Sequence, residues 1–148
     1  MNIRSAQISD LEQLVDFQIT MALESENLHL DKDILQQGIL SVLNDKTKGS
    51  YFVVEDESTL IASLLITYEW SDWRNKMVWW IQSVFVVPEF RQKGVFKKLY
   101  NHIQAIVEND DTICGLRLYV DKQNIRAQNV YRNIGMNGEH YQVFEWMK

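Results

Sequence analysis

The stretch WWIQSVFVV, Trp79–Val87, limits the fold more than any other part of the sequence. It is dense in β-branched and aromatic residues, which favour strands, and it lacks the alternation of polar and apolar residues seen in a strand with one solvent-exposed face. Pro88 ends it, because proline cannot donate to a ladder and disfavours helix at the preceding residue. The chain must therefore build a sheet whose central strand is covered on both sides.

Periodicity and turn signals predict the other elements around this strand. The resulting order is β-α-α-β-β-β-α-β-α-β, a mixed α/β class with a mixed, mostly antiparallel sheet flanked by helices. No linker or repeat divides residues 1–148, so we expect one domain. The predicted elements are strand Asn2–Gln7, a helix from Asp10 behind a Ser9/Glu12 capping box, a helix around Leu35–Leu43 capped by Asp31 or Asp33, strands Tyr51–Glu55, Leu60–Tyr68 and Trp79–Val87, helix Val95–Val107, strand Gly115–Val120, helix Asn124–Asn133 and strand Tyr141–Trp146.

Composition excludes several classes of function. A net charge of -5 argues against a general nucleic-acid binder, which needs a sustained basic surface. The N-terminus lacks a signal-peptide core, and the longest apolar run, Leu60–Tyr68, is about half a membrane span. Cys114 is the only cysteine and the three histidines show no metal spacing, so we expect no disulfide and no metal. We expect a cytoplasmic protein without membrane or nucleic-acid partners.

Four cations and one glycine lie directly after the central strand, in RQKGVFKK, residues 91–98. They fall at the predicted start of a helix, where unpaired N–H groups and the positive end of the helix dipole attract anions. Gly94 allows the backbone to approach a phosphate, and Arg91, Lys93 and Lys97 or Lys98 add charge. This segment is a candidate cradle for a pyrophosphate, and the alternative is a charged surface helix.

These residues resemble the acetyl-CoA loop of the GNAT superfamily of N-acetyltransferases, whose pattern is Arg/Gln-x-x-Gly-x-Gly/Ala. Arg91 and Gly94 match, while Phe96 departs from the small residue expected there, and we predict that its ring packs beneath Tyr100. A second segment, Asn124–Met136, resembles the later family segment at Asn124, Ala127, Tyr131 and Gly135. The resemblance implies acetyl-CoA as cosubstrate, bound by Val84, Phe85, Val86, Arg91, Gln92, Lys93, Gly94, Val95, Phe96, Lys97, Asn124 and Tyr131.

The resemblance also implies direct attack of an amine on the thioester in a ternary complex. Backbone N–H groups of Val84 to Val86 are then expected to polarise the carbonyl, and Tyr131 to protonate the leaving thiolate. Several relatives place a Glu in the central strand where this chain has Gln82, which cannot act as a base. The candidate bases are, in order, Glu69, Glu24 and Glu26, and a solvated loop carboxylate remains the alternative for each.

The acceptor is expected to be a small primary amine, either a polyamine, a diamine or an amino-acid-like molecule. An acidic elbow with Glu24 and Glu26, and a pocket of Trp70, Asp72 and Trp73, motivate this expectation through ion pairing and cation–π contact. The tryptophans could equally cover the sheet. The alternatives are a protein N-terminal or lysine acetyltransferase and a non-catalytic acyl-CoA sensor. The surplus of aromatic residues, and the dimers that are common in this family, are compatible with a homodimer.

Overall fold

The computed structural model describes all 148 residues, which divide into two compact units, Met1–Arg117 and Leu118–Lys148. The first unit holds a five-stranded sheet in the order β1-β2-β3-β4-β5. Neighbouring strands are antiparallel except β4 and β5, which run parallel. Its elements are β1 (Asn2–Ser5), α1 (Leu11–Glu26), α2 (Lys32–Asn44), β2 (Ser50–Asp56), β3 (Thr59–Ser71), β4 (Lys76–Val86), α3 (Val95–Glu108) and β5 (Ile113–Arg117), with 3-10 turns at Ile8–Asp10 and Pro88–Phe90.

Helices cover both faces of this sheet, which confirms the predicted mixed α/β class. On one face, Leu14 and Val15 of α1 and Ile39 of α2 form a buried cluster with Tyr51 and Val53 of β2. On the other face, α3 packs against the sheet through an apolar stripe, and its His102 ring lies edge-on to Phe52 of β2. The core therefore has two layers, and β4 lies between them as the composition of Trp79–Val87 predicts.

Local signals set most of the element boundaries. The Asp31 carboxylate caps α2 by accepting from the Asp33 and Ile34 N–H groups, both at 3.0 Å. Glu57 and Ser58 both have positive φ, so the β2–β3 hairpin turns tightly without a glycine. The predicted Ser9/Glu12 capping box is wrong. The Asp10 carboxylate instead accepts from the Gln7 N–H at 2.7 Å, and α1 begins one residue later.

The second unit contains one helix, α4 (Ile125–Asn133), and no strand. The helix is predicted correctly to within one residue, and Asn124 caps it by accepting from the Ala127 N–H at 3.0 Å. The predicted strand Tyr141–Trp146 is wrong for the single chain, because no sheet partner pairs with it. The predicted strand Gly115–Val120 is shifted, since β5 ends at Arg117.

Candidate active site

The site is built around an irregularity in β4. Leu65 pairs with Gln82, whereas Ser63 pairs with Phe85, so β4 has one more residue than β3 between these pairs. Ser83 lies in this bulge and has a φ of 53°. Its carbonyl accepts a hydrogen bond from the buried Gln18 side chain of α1 at 3.3 Å. Sequence analysis did not identify Gln18, and a buried amide within an apolar helix face was the signal that could have revealed it.

Past the bulge, β4 has a ladder partner on only one side. The parallel ladder with β5 covers Met77 to Trp80, whereas β3 follows β4 as far as Val86. Val86 turns its carbonyl away from β3, since that oxygen accepts from Arg91 Nε at 2.8 Å. The N–H and the carbonyl of one strand residue point to the same edge, so the Val86 N–H also faces the open edge. The predicted carbonyl-polarising donor at Val86 is available there.

Val84 and Phe85 differ from Val86 in their surroundings. The Val87 N–H donates to the Ile61 carbonyl of β3 at 2.9 Å, and alternation along the strand then turns the Phe85 N–H toward β3 as well. Phe85 contributes through its ring, which lies 4.9 Å from the Phe17 ring of α1. Val84 lies in the bulge itself.

The loop between β4 and α3 has the backbone of an anion site. Gln92 and Gly94 both have left-handed φ, 62° and 75°, and α3 begins directly afterwards at Val95. Such a turn followed by a helix start points several N–H groups outward in one place, at the positive end of the helix dipole. Lys97 is exposed on the first turn, and the Lys93 ammonium lies 5.4 Å from the centre of the Phe90 ring.

Arg91 anchors this loop to β4 and to α1. Besides its bond to the Val86 carbonyl, its Nη2 pairs with Glu24 Oε2 at 2.7 Å, and its guanidinium lies 5.5 Å from the Phe85 ring centre. Three contacts of this kind fix the guanidinium against α1 and β4. The structure thus gives Arg91 and Glu24 one shared positioning task, while the phosphate contact of Arg91 and the base role of Glu24 stay predictions.

Phe96 takes the orientation that the sequence predicts. Its ring centre lies 6.2 Å from that of Tyr100, one helical turn further along α3, and the side chain is half-buried. The larger side chain at this position is therefore accommodated by packing along α3, against Tyr100.

A second group of polar side chains shares one face of the sheet on the strands that lead to the bulge. Alternation and register place them on the side that α1 and α2 cover, because Leu65, the partner of Gln82, packs into that cluster. All are half-buried. We call this group the polar sheet face, and it consists of Thr67, Glu69, Trp80, Gln82 and Arg117.

Contacts on the polar sheet face link three strands. Gln82 Nε2 donates to Thr67 Oγ1. Arg117 Nη1 of β5 donates to Glu69 Oε2 of β3 at 2.6 Å, across the intervening β4. Glu69 and Thr67 are two residues apart on one strand, so about 7 Å separates them along the face. Sequence analysis identified Glu69 and Gln82 but missed Thr67, Trp80 and Arg117, which only the register brings to them.

The residues of the predicted tryptophan pocket lie in and beside the exposed turn between β3 and β4. Trp73 is 90% exposed in the tight turn between β3 and β4, and Trp70 is 58% exposed beside it. Trp70 pairs with Met77, five residues before Gln82, so about 17 Å of strand separates it from the bulge. Asp72 accepts from the Trp73 N–H at 3.0 Å and belongs to the same turn.

The predicted acidic elbow is also different from expectation. Glu24 and Glu26 lie in the last turn of α1, which continues to Glu26 before Asn27 ends it in the left-handed conformation. Glu24 is bound to Arg91 as described above, and Glu26 is exposed.

In the second unit, the predicted residues are Asn124 and Tyr131. Asn124 is the N-cap of α4, and the contact with acetyl-CoA that the family resemblance implies for it stays a prediction. Burial raises the pKa of the Tyr131 phenol, a group that is protonated at neutral pH even at its ordinary pKa of about 10. A protonated phenol is the form that a proton donor requires.

Comparison with known proteins assigns this arrangement to a family. The model of the Acetyltransferase (GNAT) family matches residues 11–136, which include β4, the loop and α4. The chain belongs to the GNAT family. Its members are acetyl-CoA-dependent N-acetyltransferases, so the enzyme class predicted from the sequence is confirmed.

Solved structures support the same assignment. A possible acetyltransferase from Clostridium difficile 630 is 41% identical, with a TM-score of 0.94 over 99% of this chain and 97% of that one. Two more distant structures share the fold. A predicted acetyltransferase with acetyl-CoA from Clostridium acetobutylicum is 16% identical, with a TM-score of 0.77 over 97% of this chain and 95% of that one. AAC(6')-Iy in complex with a bisubstrate analogue is 19% identical, with a TM-score of 0.77 over 99% of this chain and 97% of that one. The search of curated proteins returned no match.

Two further findings concern the predicted absences. No helix of the structure is long and apolar enough to cross a membrane. No group of three or more His, Cys, Asp or Glu side chains is arranged to hold a metal ion. The cytoplasmic location stays a prediction.

Proposed function

We propose that this GNAT enzyme acetylates the primary amine of a small molecule that also carries an anionic group, such as an amino-acid-like acceptor. The observation that carries the proposal is the polar sheet face, where a carboxylate, an indole and a guanidinium lie together on the strands that lead to the bulge of β4. A polyamine would suit the carboxylate and the indole but would be repelled by the guanidinium.

Each group on this face has a role in holding such an acceptor. The Glu69 carboxylate attracts the ammonium group, and the Trp80 ring offers it a cation–π contact. Arg117 presents the planar fork of N–H donors that matches a carboxylate in two-point contact. Because Arg117 already pairs with Glu69, the two charges are compensated until the acceptor's opposite charges share in the pairing.

Acetyl-CoA would bind on the other side of β4, at its open edge and at the loop. The N–H groups around Gln92, Gly94 and Val95 would accept the pyrophosphate, with Lys93 and Lys97 adding charge. The Val86 N–H would donate to the thioester carbonyl, where negative charge develops during the reaction. Arg91 and Glu24 hold the loop in the conformation that this requires.

The reaction then follows from these positions. The acceptor ammonium first loses a proton to Glu69 through a water molecule that Gln82 orients, because Glu69 pairs with Val78, about 13 Å along β4 from Gln82. The nitrogen of the neutral amine forms a bond to the carbonyl carbon, the carbon–sulfur bond breaks, and the sulfur leaves with the electron pair as a thiolate. The new amide nitrogen loses its second proton to solvent, and the thiolate receives one from Tyr131, which solvent then reprotonates.

An amine panel tests the acceptor class. Each amino acid is paired with the amine that has the same side chain but lacks the carboxylate. Both members of each pair, and a set of polyamines, are assayed by the release of thiol from acetyl-CoA. We expect turnover with the carboxylate-bearing members of the pairs. Turnover with polyamines alone, or with peptides alone, would contradict the proposed acceptor.

Arg117→Lys sharpens this test, because it keeps the charge and loses the fork. We expect KM for the carboxylate-bearing acceptor to rise about tenfold, with kcat changed less. KM for the matched amine without the carboxylate should stay within about twofold. An equal rise for both members of a pair would remove the carboxylate contact from the proposal.

Tyr131→Phe tests the proton donor. We expect kcat to fall by about tenfold to a hundredfold because the thiolate loses its acid, while acetyl-CoA affinity stays the same. Tyr119→Phe, in the same unit and exposed, serves as the matched control. An unchanged kcat in Tyr131→Phe would exclude the tyrosine from this role.

A further inference from the structure

One polar side chain lies in the buried face of α1. Gln18 is 3% exposed, while the other buried residues of that helix are apolar, namely Leu14, Val15, Phe17 and Ala22. An amide without a hydrogen-bond partner is costly to bury. The Nε2 of Gln18 donates to the Ser83 carbonyl of β4 at 3.3 Å, so the polar group of this face is directed at the bulge.

Ser83 needs such a partner more than a residue of a regular strand does. Its φ of 53° is left-handed, a conformation in which the Cβ of an L residue is crowded. The bond to Gln18 comes from a helix that covers the sheet, so the carbonyl points out of the sheet plane toward α1. In a regular strand this carbonyl would lie in the plane of the sheet. The Gln18 bond therefore favours the bulged conformation over the regular one.

α1 holds a second point of β4 further along the strand. Glu24 pairs with Arg91 Nη2 at 2.7 Å, and Arg91 Nε donates to the Val86 carbonyl at 2.8 Å. Gln18 and Glu24 are six residues apart, which is about 9 Å along a helix. Ser83 and Val86 are three residues apart, which is about 10 Å along a strand. The two attachments on α1 therefore match the two carbonyls on β4, and the strand between them is held at both ends.

This part of β4 needs support from α1 because β5 does not reach it. The ladder between β4 and β5 ends at Trp80, and the Val86 N–H faces the edge that β5 leaves open. The Phe17 ring of α1 packs on the Phe85 ring, with 4.9 Å between the ring centres. The direction of the Val86 N–H thus depends on the pairing with β3 and on the contacts with α1.

We propose that Gln18 is a positioning residue for acetyl transfer, which acts through the bulge at Ser83 on the direction of the Val86 N–H. Gln18 is too deeply buried to touch either substrate, so its effect passes through the backbone of β4. The inference rests on the proposed function, in which the Val86 N–H donates to the thioester carbonyl, and it holds for any acceptor amine.

The thioester carbonyl of bound acetyl-CoA reports on this donor. Gln18→Met keeps the approximate volume of the side chain and removes the donating amide. Acetyl-CoA labelled with ¹³C at the carbonyl is bound to each protein without an acceptor, and infrared difference spectra give the stretching frequency.

We expect the frequency in the unmodified enzyme to lie below that of a thioester in an aprotic solvent, because a hydrogen bond weakens the carbonyl double bond. In Gln18→Met the frequency should return toward the aprotic value. The dissociation constant of acetyl-CoA should stay within about twofold, because the loop still holds the pyrophosphate.

Turnover gives the second readout. In Gln18→Met we expect kcat to fall about tenfold, with KM for acetyl-CoA changed less, because a misdirected donor weakens the transition state more than the bound substrate. Gln18→Glu keeps the shape and replaces the donating group by an acceptor, so it should lose at least as much kcat. The test therefore does not depend on the folding of one variant.

Two control variants separate this effect from a loss of stability. Val15→Ala removes volume from the same buried face, where Val15 packs against α2 and β2, so it should lower stability and leave kcat and the carbonyl frequency unchanged. Ser63→Ala removes a buried hydroxyl that pairs with Phe85 beside the bulge and has no hydrogen-bond partner. It should also leave both readouts unchanged.

Ser83→Gly tests the link between Gln18 and the bulge. Glycine adopts a left-handed φ without the crowding of a Cβ, so the bulge then depends less on Gln18. Gln18→Met/Ser83→Gly should therefore recover part of the lost kcat and of the lowered frequency. A role of Gln18 in stability alone would not give this recovery.

The outcomes distinguish this inference from the proposed function. If the bound carbonyl of the unmodified enzyme absorbs at the aprotic value, Val86 is not a donor, and both the proposed role of Val86 and the inference fail. A lowered frequency that Gln18→Met retains overturns the inference alone, whatever the kcat of that variant. Equal losses of kcat in Gln18→Met and Ser63→Ala would also overturn the inference alone.

Discussion

The loop at residues 91–97 and the polar sheet face adjoin the same strand, yet they are built in opposite ways. The loop is continuous in sequence and acts through backbone N–H groups, which the left-handed φ of Gln92 and Gly94 direct outward. The polar sheet face acts through side chains, and its Glu69 and Arg117 are 48 residues apart. Substitutions on the face should therefore alter acceptor recognition and chemistry, whereas those in the loop should alter acetyl-CoA binding.

The largest effect is expected from Glu69→Gln, on the face. The amide keeps the size and a bond to Arg117 but cannot accept a proton, so kcat should fall by about 10²–10³. Acetyl-CoA affinity, measured by calorimetry, should not change. Glu12→Gln, at an exposed position of α1, is the matched control. If Glu69→Gln retained more than half of the kcat, the base would have to be found elsewhere.

A smaller effect, on acetyl-CoA affinity and not on kcat, is expected from Gly94→Ala in the loop. A Cβ at φ 75° meets no neighbouring atom, so the cost is conformational and on the order of 1 kcal/mol. The dissociation constant for acetyl-CoA should rise about fivefold, with kcat at saturation nearly unchanged. Gly38→Ala, which also meets no neighbour and lies within α2, should leave acetyl-CoA affinity intact and stabilise the fold slightly. Equal affinities in the two variants would contradict the proposed role of the backbone at Gly94.

The smallest effect on activity is expected from Asp10→Asn, which lies outside both regions. The Asp10 carboxylate is buried and accepts from Arg4 at 2.7 and 3.0 Å, and chiefly this bond holds its pKa below the ordinary value. A lowered carboxyl pKa stabilises the fold above the unfolded pKa of about 4, and this contribution is lost as pH falls through the folded pKa.

At pH 7 we therefore expect Asp10→Asn to lower the free energy of unfolding by about 2 kcal/mol. The difference from the unmodified protein should shrink below pH 4, as followed by urea denaturation, while kcat and acetyl-CoA affinity at 25 °C stay unchanged. Asp45→Asn removes an exposed pair with Lys48 and should have little effect. A difference that is constant from pH 7 to pH 3 would rule out the charge as its origin.

The contrast between loop and face also explains what the sequence could predict. A strand that ends at a proline, a glycine at a helix start and a capping Asp31 are local signals, so β4, the loop and the start of α2 were predictable. The role of Arg91 was less so, because its partner Glu24 is 67 residues away. Glu69 was found from the sequence, but Trp80 and Arg117 depend on the register of three strands.

Two of the differences between the sequence-based predictions and the structure share a physical cause. Trp70, Asp72 and Trp73 are charged or aromatic neighbours in sequence, but the long β3–β4 hairpin carries them away from the bulge. Residues 141–146 have strand propensity, but a strand exists only where another strand accepts its hydrogen bonds. Neither the length of a hairpin nor the supply of a partner edge is encoded in the residues concerned.

The bulge at Ser83 makes chain length as important as residue identity in β4. In a regular strand, residues three apart face opposite sides, yet Gln82 and Phe85 both face α1 and α2 because one extra residue lies between them. Deleting Ser83 would place Gln82 and Phe85 two residues apart, so regular alternation alone would keep both on the face that α1 and α2 cover. A single-residue deletion would thus remove the bulge, and with it the Ser83 carbonyl that accepts from Gln18, while the order of the faces stays intact.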